Sequence, residues 1–276
     1  MLRSRHGRTV LKTFASLALV LAPGLALAGS IGFRTDAKVT AGAGVSAEVT
    51  LTQTGDEAAE QVMVRAQLLD KTIDGETLTL MAPKQSHVWN FSLFDTLEKG
   101  IYAIAFRIRY TDGNGYPFEV LSAANAVVAA QPAPRIFGSL TVDRLTVGGT
   151  ATAHVVAKRP PSRSGAFEVR LITPDGVTAQ PAVISLQFDE SGRAQADFAV
   201  TNLKMLVGTT MNFFAFVKQT DATVPQTDTI RGTARVVAKS ARTYSPHFYE
   251  WAAGLFALLL LLELASRRFP RLHHDG

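Results

Sequence analysis

From Ile31 onward the chain alternates apolar and polar residues with a period of two. Val45, Ala47, Val49 and Leu51 interleave with Ser46, Glu48, Thr50 and Thr52, and Val62, Val64, Ala66 and Leu68 with Gln61, Met63, Arg65 and Gln67. Successive side chains of a strand point to opposite faces, so each run predicts a strand with one face on a core and one in water. The strongest is Ile104, Phe106, Ile108 and Tyr110, with Arg107 and Arg109 expected to face out; it ends at Asp112-Gly113-Asn114-Gly115 and the chain returns through Phe118, Val120 and Leu121. Thr54-Gly55-Asp56 and Asp74-Gly75 supply further turns. The pattern resumes in Leu140 and Val142, in Ala151, Ala153 and Val155, in Phe167, Val169 and Leu171, and in Ala194, Ala196 and Phe198, with a last strand over Ile230 to Val237. Nothing in this stretch repeats at helical spacing for long enough to compete.

The break in the pattern falls at Ala129-Ala130-Gln131-Pro132-Ala133-Pro134, which has two prolines and no large apolar residue and reads as a short semi-extended linker. It predicts two all-β units, 29–130 and 136–240, joined by 131–135. The units echo each other: Gly44 to Val49 matches Gly149 to Val155, and Leu97 to Asp112 matches Leu203 to Asp221, in order and spacing. Short strands with turns every 8 to 12 residues predict a duplicated β-sandwich of about seven strands per copy. A closed barrel is the alternative, disfavoured by the long gap between Leu171 and Ala194. Phe213, Phe214, Phe216 and Val217 make one run apolar on both faces. It is either a core strand or an inter-unit contact, because one of two adjacent strand residues must point away from its own core.

The run Val49 to Arg65, VTLTQTGDEAAEQVMVR, resembles the second and third strands of bacterial CARDB and alpha-galactosidase-associated (NEW-type) immunoglobulin-like domains, with their strand, Thr-Gly-Asp turn and strand. Pro83, Ser86, Trp89 and Phe91, then Gly100 and Tyr102 before the arginine-bearing strand, are also similar to that family. The resemblance covers about residues 31–128, with a vaguer echo in the second half. It implies immunoglobulin-like sandwiches. It implies no chemistry, since such domains serve as spacers, adhesive modules and appendages of enzymes and bring no catalytic residues.

The two ends predict where those sandwiches sit. Residues 1–28 have the parts of a secretory signal peptide: Arg3, Arg5, Arg8 and Lys12, an apolar run from Phe14 to Leu21, then Ala26-Leu27-Ala28. Near the other end, Trp251 to Ala265 carries one charge, Glu263, and five consecutive leucines, Leu258 to Leu262. A helix of that length is about 22 Å long, short for a hydrocarbon core of about 30 Å, and Phe248 and Tyr249 extend it. We therefore expect a juxtamembrane segment 241–248, a single transmembrane helix over 249–266 and a cytoplasmic tail 267–276. Arg267, Arg268 and Arg271 place that tail inside, and Tyr244, Tyr249 and Trp251 suit the outer interface. The expected location is the bacterial inner membrane, with the β-units in the periplasm or outside. No Leu-Pro-x-Thr-Gly or Pro-Glu-Pro run precedes Trp251.

Charge and composition narrow the function. Seven of the 28 basic residues (Arg3, Arg5, Arg8, Lys12, Arg267, Arg268 and Arg271) and three of the 23 acids (Glu250, Glu263 and Asp275) lie outside 29–248, so the exported part is nearly neutral. Nucleic acid is not an expected partner, since phosphate backbones need clustered Lys and Arg. There is no cysteine, hence no disulfide, thiolate nucleophile or lipid-modified N-terminal Cys. The exported histidines, His87, His154 and His247, are too far apart for a usual zinc or copper pattern. Gly42, Gly44, Gly148 and Gly149 lack the helix and lysine of a phosphate loop, Ser164 and Gly165 form no nucleophile elbow, and Asp70, Asp74 and Glu76, like Asp189 and Glu190, fall short of a calcium loop.

The expectation is a protein with no catalytic residue, cofactor or metal, making protein–protein contacts in a cell-envelope complex. Trp89, Tyr110 and Tyr116 are candidate contacts, and the loop Thr111 to Tyr116 a candidate surface. Exposure of those three rings on one face would instead fit a carbohydrate or cell-wall module, although alternation places Trp89 with Phe91 and Leu93 on a core face. Glu263 is either a partner contact within the bilayer, fitting an accessory subunit of an envelope enzyme or transporter, or the local partner of Arg267 one turn away.

Overall fold

The computed structural model describes residues 29–42, 44–131, 134–239, 250–251, 253–259 and 261. The expected signal peptide, His247, Glu263 and the tail lie outside them. The first half holds seven strands: β1 (Phe33–Ala41), β2 (Val45–Gln53), β3 (Ala59–Leu68), β4 (Lys71–Met81), β5 (Ser86–Phe94), β6 (Gly100–Thr111) and β7 (Pro117–Val128). In the second half follow β8 (Phe137–Val142), β9 (Leu145–Thr146), β10 (Thr150–Lys158), β11 (Phe167–Ile172), β12 (Val177–Gln180), β13 (Ile184–Leu186), β14 (Arg193–Asn202), β15 (Thr210–Gln219) and β16 (Gln226–Val237). The gap between Leu171 and Ala194 is filled by the short β12 and β13, whose three or four residues leave too little alternation to read.

Each half is a sandwich. In the first, the layer β1-β2-β5 faces β4-β3-β6-β7. Val49, Leu51, Ile104, Phe106 and Ile108 fill the space between them. In the second, β12-β14-β10-β8 faces β16-β15-β11-β13, around Phe167, Val169, Phe198 and Phe213. The two layers of this second sandwich join along one side, because β8 pairs in parallel with β16 at Gly232 and Leu140. Glycine is required there: a Cβ on residue 232 would lie 2.3 Å from the Leu140 carbonyl oxygen. Burying each large apolar side chain contributes roughly 1.5–3 kcal/mol, and with no cysteine these cores carry the stability.

The sandwiches stand side by side. β7 ends at Val128, opposite Gly100 at the start of β6, and β8 starts at Phe137, opposite Lys158 at the end of β10. The linker therefore crosses at one end of the molecule, the linker pole. There β6 and β16 also start together in parallel, Ile101 against Gln226. They then run to the opposite end, where β16 leaves the second sandwich, and this is the exit pole. The start of the described chain is at the same pole: the Asp56 and Glu57 N–H groups donate to the Ser30 carbonyl beside the end of β2. Both ends of the two-sandwich body thus share one pole.

Residues 250–251, 253–259 and 261 are helical, with Trp251, Phe256 and Leu261 80%, 66% and 63% exposed. Among the described residues no helix is long and apolar enough to cross a membrane. The expected span over 249–266 runs on past Leu261, outside them.

Candidate interaction surface

Two strands, β6 and β15, are buried on both faces. Ala103 and Ala105 on β6, Leu121 on β7 and Phe214 on β15 are buried yet belong to neither core. They form the seam between the sandwiches. Alanines let the two sheets approach closely, and the polar groups beside them are paired across the gap. The Asn212 amide donates to the Leu121 carbonyl at 3.0 Å, the Thr229 hydroxyl to Asn125 at 3.1 Å and the Ile101 N–H to the Pro225 carbonyl at 2.8 Å. The run of four apolar residues in β15 resolves accordingly: Phe213 and Val217 face the core, and Phe214 faces the seam.

Toward the exit pole the seam turns ionic. The Glu119 side chain is only 2% exposed and accepts from Arg107 Nη1 at 2.7 Å and Arg109 Nε at 2.9 Å. The Asp175 backbone N–H of the other sandwich donates to the same carboxylate at 3.0 Å, and Arg107 also donates to the Thr173 carbonyl at 3.0 Å. One buried carboxylate thus ties three donors from both bodies, which satisfies its lone pairs and offsets its desolvation. Arg107 and Arg109 were expected to face water; the seam takes up that face. Register opposes Arg109 to Glu119 and Arg107 to Leu121. Nearby, Arg65 and Asp74 pair across β3 and β4: the guanidinium holds the Asp74 carboxyl below the usual range, and Asp74 raises Arg65 in return.

A cleft of about 350 Å³ opens beside this cluster, between the β6–β7 hairpin and the loop after β14, with Arg109, Tyr116, Phe118, Lys204 and Leu206 among its lining residues. A second, of about 430 Å³, lies beyond Arg109 and Asp175 and includes Arg65, Arg107 and Thr173. Among the described residues no group of three His, Cys, Asp or Glu side chains is placed to hold a metal ion. His87 bonds to Glu76 at 2.8 Å, and His154 lies between Asp197 and Asp143 on an exposed sheet face.

Of the three candidate contact residues among those described, Trp89, Tyr110 and Tyr116, one is exposed; Glu263 lies outside them. Tyr116 is 56% exposed at the cleft mouth. Trp89 is a correction: its indole is buried in the first core, where Nε1 donates to the Glu76 carbonyl at 2.9 Å. The ring fits because residue 75 is glycine; a Cβ there would lie 2.5 Å from the Trp89 ring. Tyr110 is a second correction. Its ring is buried, stacked on Phe118 at 5.4 Å and edge-on to Phe33 at 4.9 Å, and burial pushes its hydroxyl up to about 12. Core alternation therefore wins over surface chemistry at both positions. Glu119 and Asp175 were missed. The signal for them was Ala103 and Ala105 on the supposed water face of the arginine strand, since small apolar residues there predict close packing.

A second buried carboxylate shows the same chemistry inside one sandwich. Arg163 and Asp228, both buried, pair directly, Arg135 approaches Asp228 at 3.8 Å, and Arg163 also reaches the Pro134 carbonyl at 3.4 Å. This fixes the end of the linker onto the second sandwich.

No protein-family model matches the chain, and no curated protein matches it. Among solved structures it is similar to red sea bream transglutaminase (13% identity, TM-score 0.24, covering 86% of this chain and 34% of that one) and to native E. coli alpha-2-macroglobulin (8%, 0.28, 75% and 17%). A chimeric titin Z1Z2 tandem is similar at 14% identity and a TM-score of 0.22, over 76% of this chain and all of the other. The chain spans about a third of the transglutaminase and about a sixth of the macroglobulin. Likenesses at these scores say nothing of activity, and the assignment as β-sandwiches rests on the strand pairing itself.

Proposed function

We propose that this chain is a non-enzymatic, membrane-anchored scaffold of the bacterial cell envelope, holding two immunoglobulin-like sandwiches, the first of the CARDB or NEW type, outside the inner membrane to contact a protein partner. The observation that carries this reading is the common pole: both ends of a body locked by its seam lie there, and the chain leaving it leads to a helix whose apolar side chains are exposed all round. Such a helix needs an apolar surrounding, and a bilayer supplies one. Partner contact is assigned to the first sandwich at the cleft mouth, where Tyr116 offers an aromatic ring with a polar tip. The glycan alternative loses two of its three platform rings, Trp89 and Tyr110, to the core.

The test is photocrosslinking in intact cells with Tyr116→p-benzoylphenylalanine in the full chain, alongside membrane fractionation. The expected result is a chain that stays with alkali-washed membranes and forms a discrete protein adduct from position 116, absent when the same group replaces Val88 on the flank. Release of the mature chain as a soluble protein on cell breakage overturns the anchoring. A glycan adduct alone overturns the choice of partner.

A further inference from the structure

The loop 203–209 between β14 and β15 is built to present apolar side chains outward. Asn202, fully buried, braces it from within: its Oδ1 accepts from the Met205 N–H at 2.8 Å and its Nδ2 donates to the Met205 carbonyl at 2.9 Å. Met205 is drawn into the core, and Gly208, at φ +92°, turns the chain so that its N–H meets the Val236 carbonyl at 2.8 Å. With the loop pinned at its middle and its end, Leu203, Leu206 and Val207 are left 58%, 50% and 56% exposed. Val147, in the adjoining turn, is exposed beside them, the two segments being joined by the bond from the Asn202 N–H to the Gly149 carbonyl. Four apolar side chains displayed by a braced loop and a turn mark a contact site rather than a frayed edge.

The location names the occupant. Gly208 and Thr209 bond to Val236, next to the last residue of β16, so this patch surrounds the point where the chain leaves for the apolar helix. Twelve residues, 238–249, lie between them, a length that even fully extended spans no more than about 43 Å. The charge around the patch fits as well. Arg144, Lys204, Arg235 and Lys239 sit at this end of the second sandwich, while its acids are occupied: Asp143 is 3.3 Å from His154, and Asp175 is 3.9 Å from Arg109. The first sandwich is more acidic at the same pole, where Asp56, Glu57, Glu60 and Asp112 outnumber Arg34 and Lys84.

Resting on the anchored reading, we propose that the second sandwich lies directly on the outer leaflet, with Leu203, Leu206, Val207 and Val147 dipping among anionic lipid headgroups and Lys204 and Arg144 beside the phosphates. The acidic end of the first sandwich stands off the surface and leaves the Tyr116 side of the cleft open to a protein. The membrane thereby sets the orientation of the whole body, because the seam fixes one sandwich to the other.

The chain's lack of cysteine makes the test direct. Single variants Leu206→Cys, Val207→Cys, Phe137→Cys at the linker pole and Leu258→Cys in the helix are labelled with an environment-sensitive fluorophore in the full chain. They are reconstituted into phosphatidylethanolamine and phosphatidylglycerol vesicles, without quencher or with lipids carrying a spin label either at the headgroup (shallow) or at mid-chain. Positions 206 and 207 are expected to shift to the blue and to be quenched severalfold more than position 137, and Lys204→Glu to weaken that quenching. Quenching at 258 by the mid-chain label, with none at 206 or 207 by the shallow label, overturns the surface contact and leaves the anchor standing; no quenching at 258 by either label removes the anchor as well. A blue shift at 206 that persists in detergent, without lipid quenching, reports burial against protein and overturns the lipid assignment.

Discussion

The inside of each sandwich is dry and the seam between them only partly so, and the two are built from different side chains. Inside, Val49, Leu51, Phe106, Phe198 and Phe213 are essentially inaccessible, and specificity comes from shape. In the seam, Ala103, Ala105, Leu121 and Phe214 alternate with Asn125, Asn212, Arg107 and Glu119, whose hydrogen bonds fix one orientation. The seam resembles an interface between partners more than a core. Cores make the two sandwiches fold, and the seam makes them one body.

Phe213 and Phe214 test that distinction within a single peptide unit. Phe213→Ala empties a site enclosed on all sides and is expected to destabilise the second sandwich by about 3–5 kcal/mol. Phe214→Ala opens a site that the sheets can partly close or water can enter, with an expected cost of about 1–3 kcal/mol. Urea unfolding of the two variants gives the comparison. Equal losses would mean that seam and core fold as one unit.

Next in size is Glu119→Gln, which keeps the shape but removes the charge that both arginines share. Arg107 and Arg109 retain partial access to water, so the expected loss is about 1–2 kcal/mol rather than that of a fully buried pair. The loss should be local: faster hydrogen exchange at the Asp175 N–H, with the Phe198 and Phe106 amides unaffected. Uniform acceleration across both cores would show that Glu119 supports folding rather than docking.

The sequence made the two cores easy to read and the seam hard. Alternation identified Val45 to Leu51, Ile104 to Tyr110 and Ala194 to Phe198, because a strand with one face in water writes its burial directly as period two. Where a second body covers the polar face, that code is ambiguous. Arg107 and Arg109 read as solvated although they meet Glu119, and the double aromatic at Phe213 and Phe214 left two readings open. The candidate surface was legible only through Tyr116 in its glycine-rich turn. Leu203, Leu206 and Val207 carry no periodic signature, because their exposure depends on Asn202 drawing Met205 inward, a contact made by a loop.

The smallest expected effect lies on the outer face of β10 and β14, exposed among the described residues, and it contrasts with the enclosed Glu119 cluster. His154 Nδ1 is 2.8 Å from Asp197, and Nε2 is 3.3 Å from Asp143. The bond to Asp197, more than that to Asp143, raises the imidazole above its ordinary 6.5, while His154 holds Asp197 below 3.8. A raised basic group stabilises fully below its unfolded value, so the histidine's contribution is complete below pH 6.5 and fades as pH rises through the higher folded midpoint; the Asp197 contribution is present above 3.8 and fades as pH falls through its lowered value. The pair therefore favours the folded state across the mildly acidic range between them, weakly, because it is exposed and screened by salt. The His154 titration followed by NMR should show a midpoint above 6.5, lowered by Asp197→Asn and less so by Asp143→Asn. A midpoint at or below the ordinary value would mean that water, and not the two carboxylates, sets the charge on this face.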